Sequence, residues 1–330
     1  MDRNTNFMAH MPTEGRPMKA AVITSFDQPP HYSDYADPVP QGPGEMLVEV
    51  LAAGLHQVTR GQASGVHYSS SGGLPIVPGV DGVGRGTDGK LRYFVQSPGQ
   101  IGTMADRTVI ELDHSIELPI DSDPATVAGA MNPAMASWLA MRCRVPFHKG
   151  QKVLILGATG SSGSMAVQIA RHLGASRIIA AGRDEGRLAK LPALGATEIV
   201  TLGDAGLGAL AREVDVVLDL VWGESAIRVM ETVLNQRTDR SLPITWIHIG
   251  SMGGEVAAIP GAFLRSAKLQ IVGSGYGSVS GREILMALPA LAKEIARGTF
   301  RIDVKTMPLR EVEQAWFEVA NTNERIVFTP

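Results

Sequence analysis

The sequence predicts an α/β protein in which a doubly wound parallel sheet interrupts a mostly β domain. Three observations predict it. Between about residues 124 and 276, short apolar runs alternate with helical stretches: KVLIL, RIIAA, EIV, VDVVLDLV, ITWIHIG and LQIVGS. Strands that alternate with helices imply a parallel sheet covered on both faces. From residue 18 to about 123 the chain is rich in Gly and Pro, with β-type runs such as MLVEVLAAG and RTVIEL. That texture suits an irregular, barrel-like β unit. Finally, 330 residues exceed the usual extent of one hydrophobic core, so two domains are expected.

The expected boundaries follow from these textures. Residues 1–17 (MDRNTNFMAHMPTEGRP) lack the apolar core of a signal peptide and read as a flexible leader before a strand at 19–24. Residues 18–123 form the first part of the β domain, 124–276 the parallel-sheet domain, and 277–330 return to the β domain. In that last part GREILMALPALAKEIARG reads as a helix that Pro289 should kink or interrupt. A strand (RIDVKTMP), an amphipathic helix (LREVEQAWFEVAN) and a final strand (RIVFTP) follow.

Composition narrows the function. Hydrophobic residues are 44% and charged residues 19%, enough apolar material for a core. A net charge of −3 argues against a nucleic-acid surface, which shows a basic excess. No apolar run reaches the ~20 residues needed to cross a bilayer. Cys143 is the one cysteine, so there is no disulfide framework and no cysteine zinc cluster. A cytoplasmic location fits this.

The stretch VLILGATGSSGSMAVQIARHLGA, from Val153, carries the chemistry. An apolar strand leads into a turn that places Ala158, Gly160 and Gly163 at the spacing of the dinucleotide fingerprint. Gly160 lets the backbone approach a pyrophosphate, and Gly163 allows close helix–strand packing. Thr159 completes the turn between Ala158 and Gly160, and Ser161 and Ser162 open a helix whose free N–H groups and dipole favour an anion. Met165, Ile169 and Leu173 give that helix one buried stripe, and Gly174 stops it. Strand before and amphipathic helix after supply the context of a Rossmann-type cofactor site.

The next strand ends in RIIAAGRDEGR. An NAD site expects an acid here for the ribose hydroxyls. Gly182 stands in that place, with Arg183 after it and Arg187 one turn later. Loss of the carboxylate removes a repulsion, and two guanidinium groups offer a grip on a 2′-phosphate. NADP(H) is the expected cofactor. Because ligands bind at the carboxyl ends of such strands, Val221, Ile249, Gly250 and Ser251 are expected near the nicotinamide ribose, and Ser274 near the ring.

The whole layout from Met18 resembles the medium-chain dehydrogenase/reductase superfamily, in its zinc-free quinone-oxidoreductase-like branch. The resemblance rests on the order and spacing of MKAAVI, GPGEMLVEVLAAGLH, LPIVPGVDGVGRG, GTMADRTVI, KGQKVLILGATGSSG, VDVVLDLV and RIVFTP. It implies a GroES-like catalytic domain, a Rossmann-type cofactor domain and a cleft between them where hydride is transferred. It also implies that zinc ligands of metal-dependent relatives stand where this chain has His56, Val80 and Asn132. Only His56 is a zinc ligand by type, and a catalytic zinc needs three, so no metal is expected. Without a metal to polarise a simple carbonyl, a quinone or an activated C=C is the expected acceptor.

In the slot that is usually Asn in the resembled branch stands His56, and the neighbouring Asp slot holds Thr59. Two readings of His56 stay open: a donor to the developing enolate or hydroquinone oxygen, or a wall of the cleft. Asn132 is expected to orient substrate or nicotinamide, and Tyr68 to reach the cleft from a loop. Structural roles are expected for His172 and His248. A short-chain reductase is disfavoured, because none of Tyr32, Tyr35, Tyr68, Tyr93 or Tyr276 has Lys four positions on. The alternative from another class is a nucleotide-binding protein without turnover. The run LQIVGS would leave an exposed apolar edge, and such edges are covered or paired, so a homodimer is expected.

Overall fold

The fold comes from a computed structural model that describes residues 17–65, 70, 73–97, 99–275, 277–318 and 324–330. All but the last residue of the expected leader lies outside the described residues, as does Tyr68. A hairpin of β1 (Met18–Val22) and β2 (His31–Tyr35) precedes β3 (Glu45–Gly54) and helix α1 (Gln57–Ala63). Strands β4 (Asp81–Gly86), β5 (Leu91–Val95), β6 (Arg107–Glu111) and β7 (Ser115–Glu117) then lead to α2 (Pro124–Leu139). The central units follow: β8 (Lys152–Leu156), α3 (Ser161–His172), β9 (Arg177–Gly182), α4 (Glu185–Leu188), α5 (Leu191–Leu194) and β10 (Glu198–Thr201). Next come α6 (Leu207–Ala211), β11 (Val216–Asp219), α7 (Gly223–Gln236), β12 (Ile244–His248), α8 (Gly261–Ser266) and β13 (Leu269–Gly273). The chain closes with α9 (Gly281–Ala296), β14 (Val304–Pro308), α10 (Val312–Glu318) and β15 (Arg325–Thr329).

Six strands form one parallel sheet in the order β10-β9-β8-β11-β12-β13. Both of its faces are covered. One packs with α2, α3 and α9 in a core that includes Ile155, Met165, Ile169 and Leu218, and the other packs with α6 and α7 around Leu156, Val217 and Trp246. Burial on both faces explains why these strands read as unbroken apolar runs. The second sheet is mixed, ordered β14-β15-β3-β4-β5-β7 with β6 also on β3. Its members come from both ends of the chain: β15 pairs with the end of β3 through Val327–Gly54 and Phe328–Ala53.

Pro289 does not end its helix. α9 runs through it from a capping box formed by Ser280 and Glu283. Leu288, Leu291, Ala292 and Ile295 are buried in the larger core alongside α2 residues. This packing outweighs a local preference of about 3 kcal/mol against proline. The two sheet regions are tied by Gln168 of α3, whose amide mimics a strand partner. Its Nε2 donates to Arg301 O at 2.9 Å, and its Oε1 accepts from Arg301 N at 2.7 Å.

Arg237, buried at the end of α7, closes the turn into β12. Its Nη1 donates to Val214 O at 2.9 Å, and its Nη2 to Pro243 O at 2.9 Å and Leu242 O at 3.2 Å. Replacing it orphans carbonyls that no other side chain among the described residues reaches. Arg237→Met is expected to cost about 3 kcal/mol, because bonds to a charged donor are worth more than neutral ones. Urea unfolding that shows a lower midpoint at unchanged slope checks this.

Candidate functional site

The strand order of the parallel sheet reverses between β8 and β11, and the crevice for a ligand lies outside the carboxyl ends there. The turn after β8 approaches α3 so closely that a side chain at Gly163 is impossible. A Cβ there would lie 2.1 Å from Gly157 O and 2.6 Å from Ala158 Cα. Gly160 is the N-cap of α3, has no side-chain cap, and faces open space apart from Gly157 O. The first N–H groups of α3 are therefore presented outward, a geometry suited to a pyrophosphate.

Of the expected cofactor residues Val221 lies against this turn, and Gly250 lies beside the neighbouring Leu220. Val221 packs against Gly157, Leu220 against Gly250, and Gly253 against Val221 and Trp222 O. Ser274 follows β13, is buried, and donates its N–H to His248 O at 2.8 Å. Gly182 ends β9 under Thr159, and a Cβ on it would meet Thr159 Cγ2 at 2.5 Å. Beyond it Arg183 is exposed, with no ion-pair partner among the described residues. Arg187 is partly buried and tied to Asp184, Nε to Oδ2 at 3.2 Å, while Asp184 also caps α4 by accepting from Arg187 N at 2.9 Å.

Sequence reasoning missed the residue that orders these loops. Asp219, at the end of β11, is fully buried. Its Oδ1 accepts from Val221 N and Trp222 N, both at 2.9 Å, and its Oδ2 from Trp246 Nε1 at 2.8 Å. Its main-chain oxygen accepts from Ile249 N at 2.7 Å and Gly250 N at 3.2 Å. Burial raises its carboxyl above the ordinary range, against the pull of these donors. The bonds hold Trp222 at φ 54°, ψ −163°, a backbone region that side chains avoid. The Trp222 ring lies 4.3 Å from that of His248. An acid inside the apolar run VDVVLDLV was the available signal.

The second cluster surrounds His56, which follows β3. A Cβ at Gly54 would lie 2.4 Å from His56 Nε2 and 2.8 Å from Ala128 O, so the missing side chain admits both imidazole and α2. His56 and Asp81 are each 1% exposed, with His56 Nε2 2.7 Å from Asp81 Oδ1. The other carboxylate oxygen accepts from Tyr93 Oη at 2.6 Å. On the far side Arg325 Nη2 contacts His56 Nδ1. Burial lowers the imidazole pKa, opposed by Asp81 and assisted by Arg325. Burial likewise brings the Arg325 guanidinium down to about 10 and pushes the Tyr93 phenol well up. Arg325 runs beside Gly129 of α2, one turn before the half-buried Asn132.

These residues do not fit a zinc ion. Both nitrogens of His56 are engaged, Val80 offers no donor atom, and Asn132 supplies only an amide. Cys143 is the free thiol. The turn residues, by contrast, fit a dinucleotide, since Gly160 leaves a cradle that no side chain fills.

Comparison with known proteins agrees with this geometry. The family model for zinc-binding dehydrogenases matches residues 163–292, a stretch that contains none of His56, Val80 and Asn132. A probable NADPH-dependent quinone reductase of Emericella nidulans is 28% identical over 361 aligned positions, covering 95% of this chain and 100% of that one. The quinone oxidoreductase of Thermus thermophilus, solved with and without NADPH, superposes with a TM-score of 0.79 at 25% identity, covering 95% and 100%. In sequence and in fold the chain is similar to the quinone oxidoreductase-like branch of the medium-chain dehydrogenase/reductase superfamily. Another relative of this quinone oxidoreductase-like chain is the 2-methylene-furan-3-one reductase of Solanum lycopersicum, 26% identical over 80% of this chain and 72% of that one.

The buried imidazole makes stability pH-dependent. Folding lowers the His56 pKa, so below about pH 6.5, its ordinary value, the unfolded chain binds a proton that the native state refuses. The contribution is fully present above that pH and declines as pH falls, by up to ~1.4 kcal/mol per unit for one proton. Denaturant titrations from pH 8 to 5 should show a smaller loss for His56→Gln than for the native chain.

Proposed function

We propose that this chain is a zinc-independent, NADPH-dependent oxidoreductase that transfers a hydride to a quinone or an α,β-unsaturated carbonyl. The observation that carries the reading is the open pyrophosphate cradle at Gly160, beside a β9 end that bears arginines and no acid. The named activities of the Emericella and Thermus relatives, and the enone chemistry of the tomato reductase, support the acceptor class.

NADPH, when bound, supplies the hydride. The N–H groups of Thr159, Ser161 and Ser162 hold its pyrophosphate, with Ala158 and Gly163 fixing the turn beneath. Arg183 and Arg187 take the 2′-phosphate where Gly182 leaves room, and Arg183 has no competing partner to release. Val221, Ile249, Gly250 and Ser251 line the nicotinamide ribose, Ser274 the ring, and Asn132 orients the acceptor; Tyr68 approaches from its loop. His56 is a wall of the site rather than a proton donor, because Asp81 lies against its Nε2 and Arg325 against its Nδ1. With no metal, the acceptor must delocalise charge itself, which favours quinones and enones over simple ketones. The lone thiol of Cys143 fits a reducing, cytoplasmic setting, and among the described residues no helix is long and apolar enough to cross a membrane.

We infer a homodimer as well. Among the described residues β13 has a strand on one side only, and Met252, Val256 and Leu264, in the segment that leads to it, are exposed. Pairing two such edges would cover them. A monomeric mass by light scattering at micromolar concentration overturns this.

Oxidation of NADPH against a panel of quinones and 2-alkenones tests the function; binding without turnover of any acceptor would leave only a nucleotide-binding protein. On the same preparation, Arg183→Ala should weaken NADPH ~10-fold or more, the value of one charge-assisted bond. NADH affinity should hardly change, since it carries no group for that side chain. Equal losses for both would make Arg183 structural.

A further inference from the structure

The bonded series from Tyr93 through Asp81 and His56 to Arg325 has one end in reach of solvent. Tyr93, Asp81 and His56 are fully buried, whereas Arg325 is partly exposed. The partners fix the imidazole tautomer. Facing a carboxylate, Nε2 carries the hydrogen, and Nδ1 accepts from a guanidinium that can only donate. His56 thereby grips Arg325 without being charged. The guanidinium itself stays cationic at neutral pH, and the anion acting on it, Asp81, sits behind the imidazole ring. Its Nε is buried and has no partner. Gly129 lets α2 lie against the stem of Arg325, and Asn132, the amide expected to orient the acceptor, follows one helical turn later on α2. A held cation with an unpaired donor, its stem on the helix that carries this half-buried amide, is arranged for an oxygen on which negative charge develops.

We propose that the His56 relay holds Arg325 as the fixed cation that receives the acceptor's carbonyl oxygen, in place of a metal. This rests on the hydride-transfer reading and adds the group that receives the charge. For an enone, the hydride and its electron pair form a C–H bond at the β-carbon. The C=C electrons move toward the carbonyl, whose oxygen becomes an enolate, and NADPH leaves as NADP⁺. Arg325 donates hydrogen bonds to that oxygen and keeps its protons, while water delivers the proton that completes the α-carbon. A quinone gives the hydroquinone monoanion by the same electron flow. Arg325 is the catalytic residue in this scheme; His56, Asp81 and Tyr93 are positioning residues.

The test compares Arg325→Met, Arg325→Lys, His56→Gln and His56→Leu with the native protein. With saturating NADPH and a 2-alkenone, Arg325→Met should lower kcat ~10²–10³-fold, the loss typical of one oxyanion donor, with the NADPH Kd essentially unchanged. Arg325→Lys should recover part of the rate. His56→Gln, which can accept from Arg325 and donate to Asp81, should recover much of what His56→Leu loses. Independently of turnover, 4-nitrophenol bound in the cleft should ionise at lower pH in the native protein than in Arg325→Met, read from the phenolate absorbance. A weakened NADPH Kd with unchanged kcat would assign the guanidinium to a cofactor phosphate and overturn the proposal. So would variants that alter neither rate nor the nitrophenol titration. If the native protein binds NADPH but reduces no acceptor, the hydride-transfer reading fails, and the nitrophenol titration still decides whether Arg325 meets an anionic oxygen.

Discussion

A buried carboxylate is tolerated only when its oxygens are met by donors, and Asp219 meets that condition with three. Two of those donors are main-chain N–H groups of the following residues, so the charge dictates the path of the loop rather than merely surviving in it. The same residue's carbonyl anchors the start of the next loop, after β12. Two of the segments at the carboxyl ends of the strands are thus set by one residue before any ligand arrives. Order present beforehand does not have to be imposed on binding, which reduces the entropic cost of holding a long, flexible dinucleotide. The unfavourable backbone of Trp222 is the visible sign that this order is enforced from outside the residue.

Around His56 the logic is similar, with opposite charges. Removing one partner of a buried ion pair is far more damaging than never having built it. Asp81 and Arg325 contact different nitrogens of the imidazole, which joins them as a neutral bridge. That arrangement spans β3, β4, β5 and β15, so it fastens the first and last strands of the mixed sheet where α2 lies against them. It also uses both imidazole nitrogens, so the features that secure the sheet are the ones that deny a metal its ligand.

What the sequence disclosed follows from how each signal arises. The strands of the parallel sheet are buried on both faces and so were plain as apolar runs, and the turn 157–163 was plain because its glycines answer to local contacts. Asp219 was visible as an acid in VDVVLDLV, though its function depends on which N–H groups it meets, and that is a matter of three dimensions. The continuity of α9 through Pro289 was hidden for a related reason, since neighbouring packing rather than local preference decides it. The His56 relay left no local trace. Its members stand at 56, 81, 93 and 325, on segments that only the closing of the mixed sheet brings together, and Arg325 at the head of RIVFTP reads as an ordinary charged strand start.

Thr159 and Gly182 touch across the cofactor turn, the methyl of one filling the space that a Cβ on the other would take. Their histories are therefore coupled. An acid that would favour ribose hydroxyls enters at 182 only if the Thr159 side chain turns aside or a smaller residue replaces it. A side chain at 182 is therefore a two-position change, and single substitutions there meet a steric resistance separate from any charge.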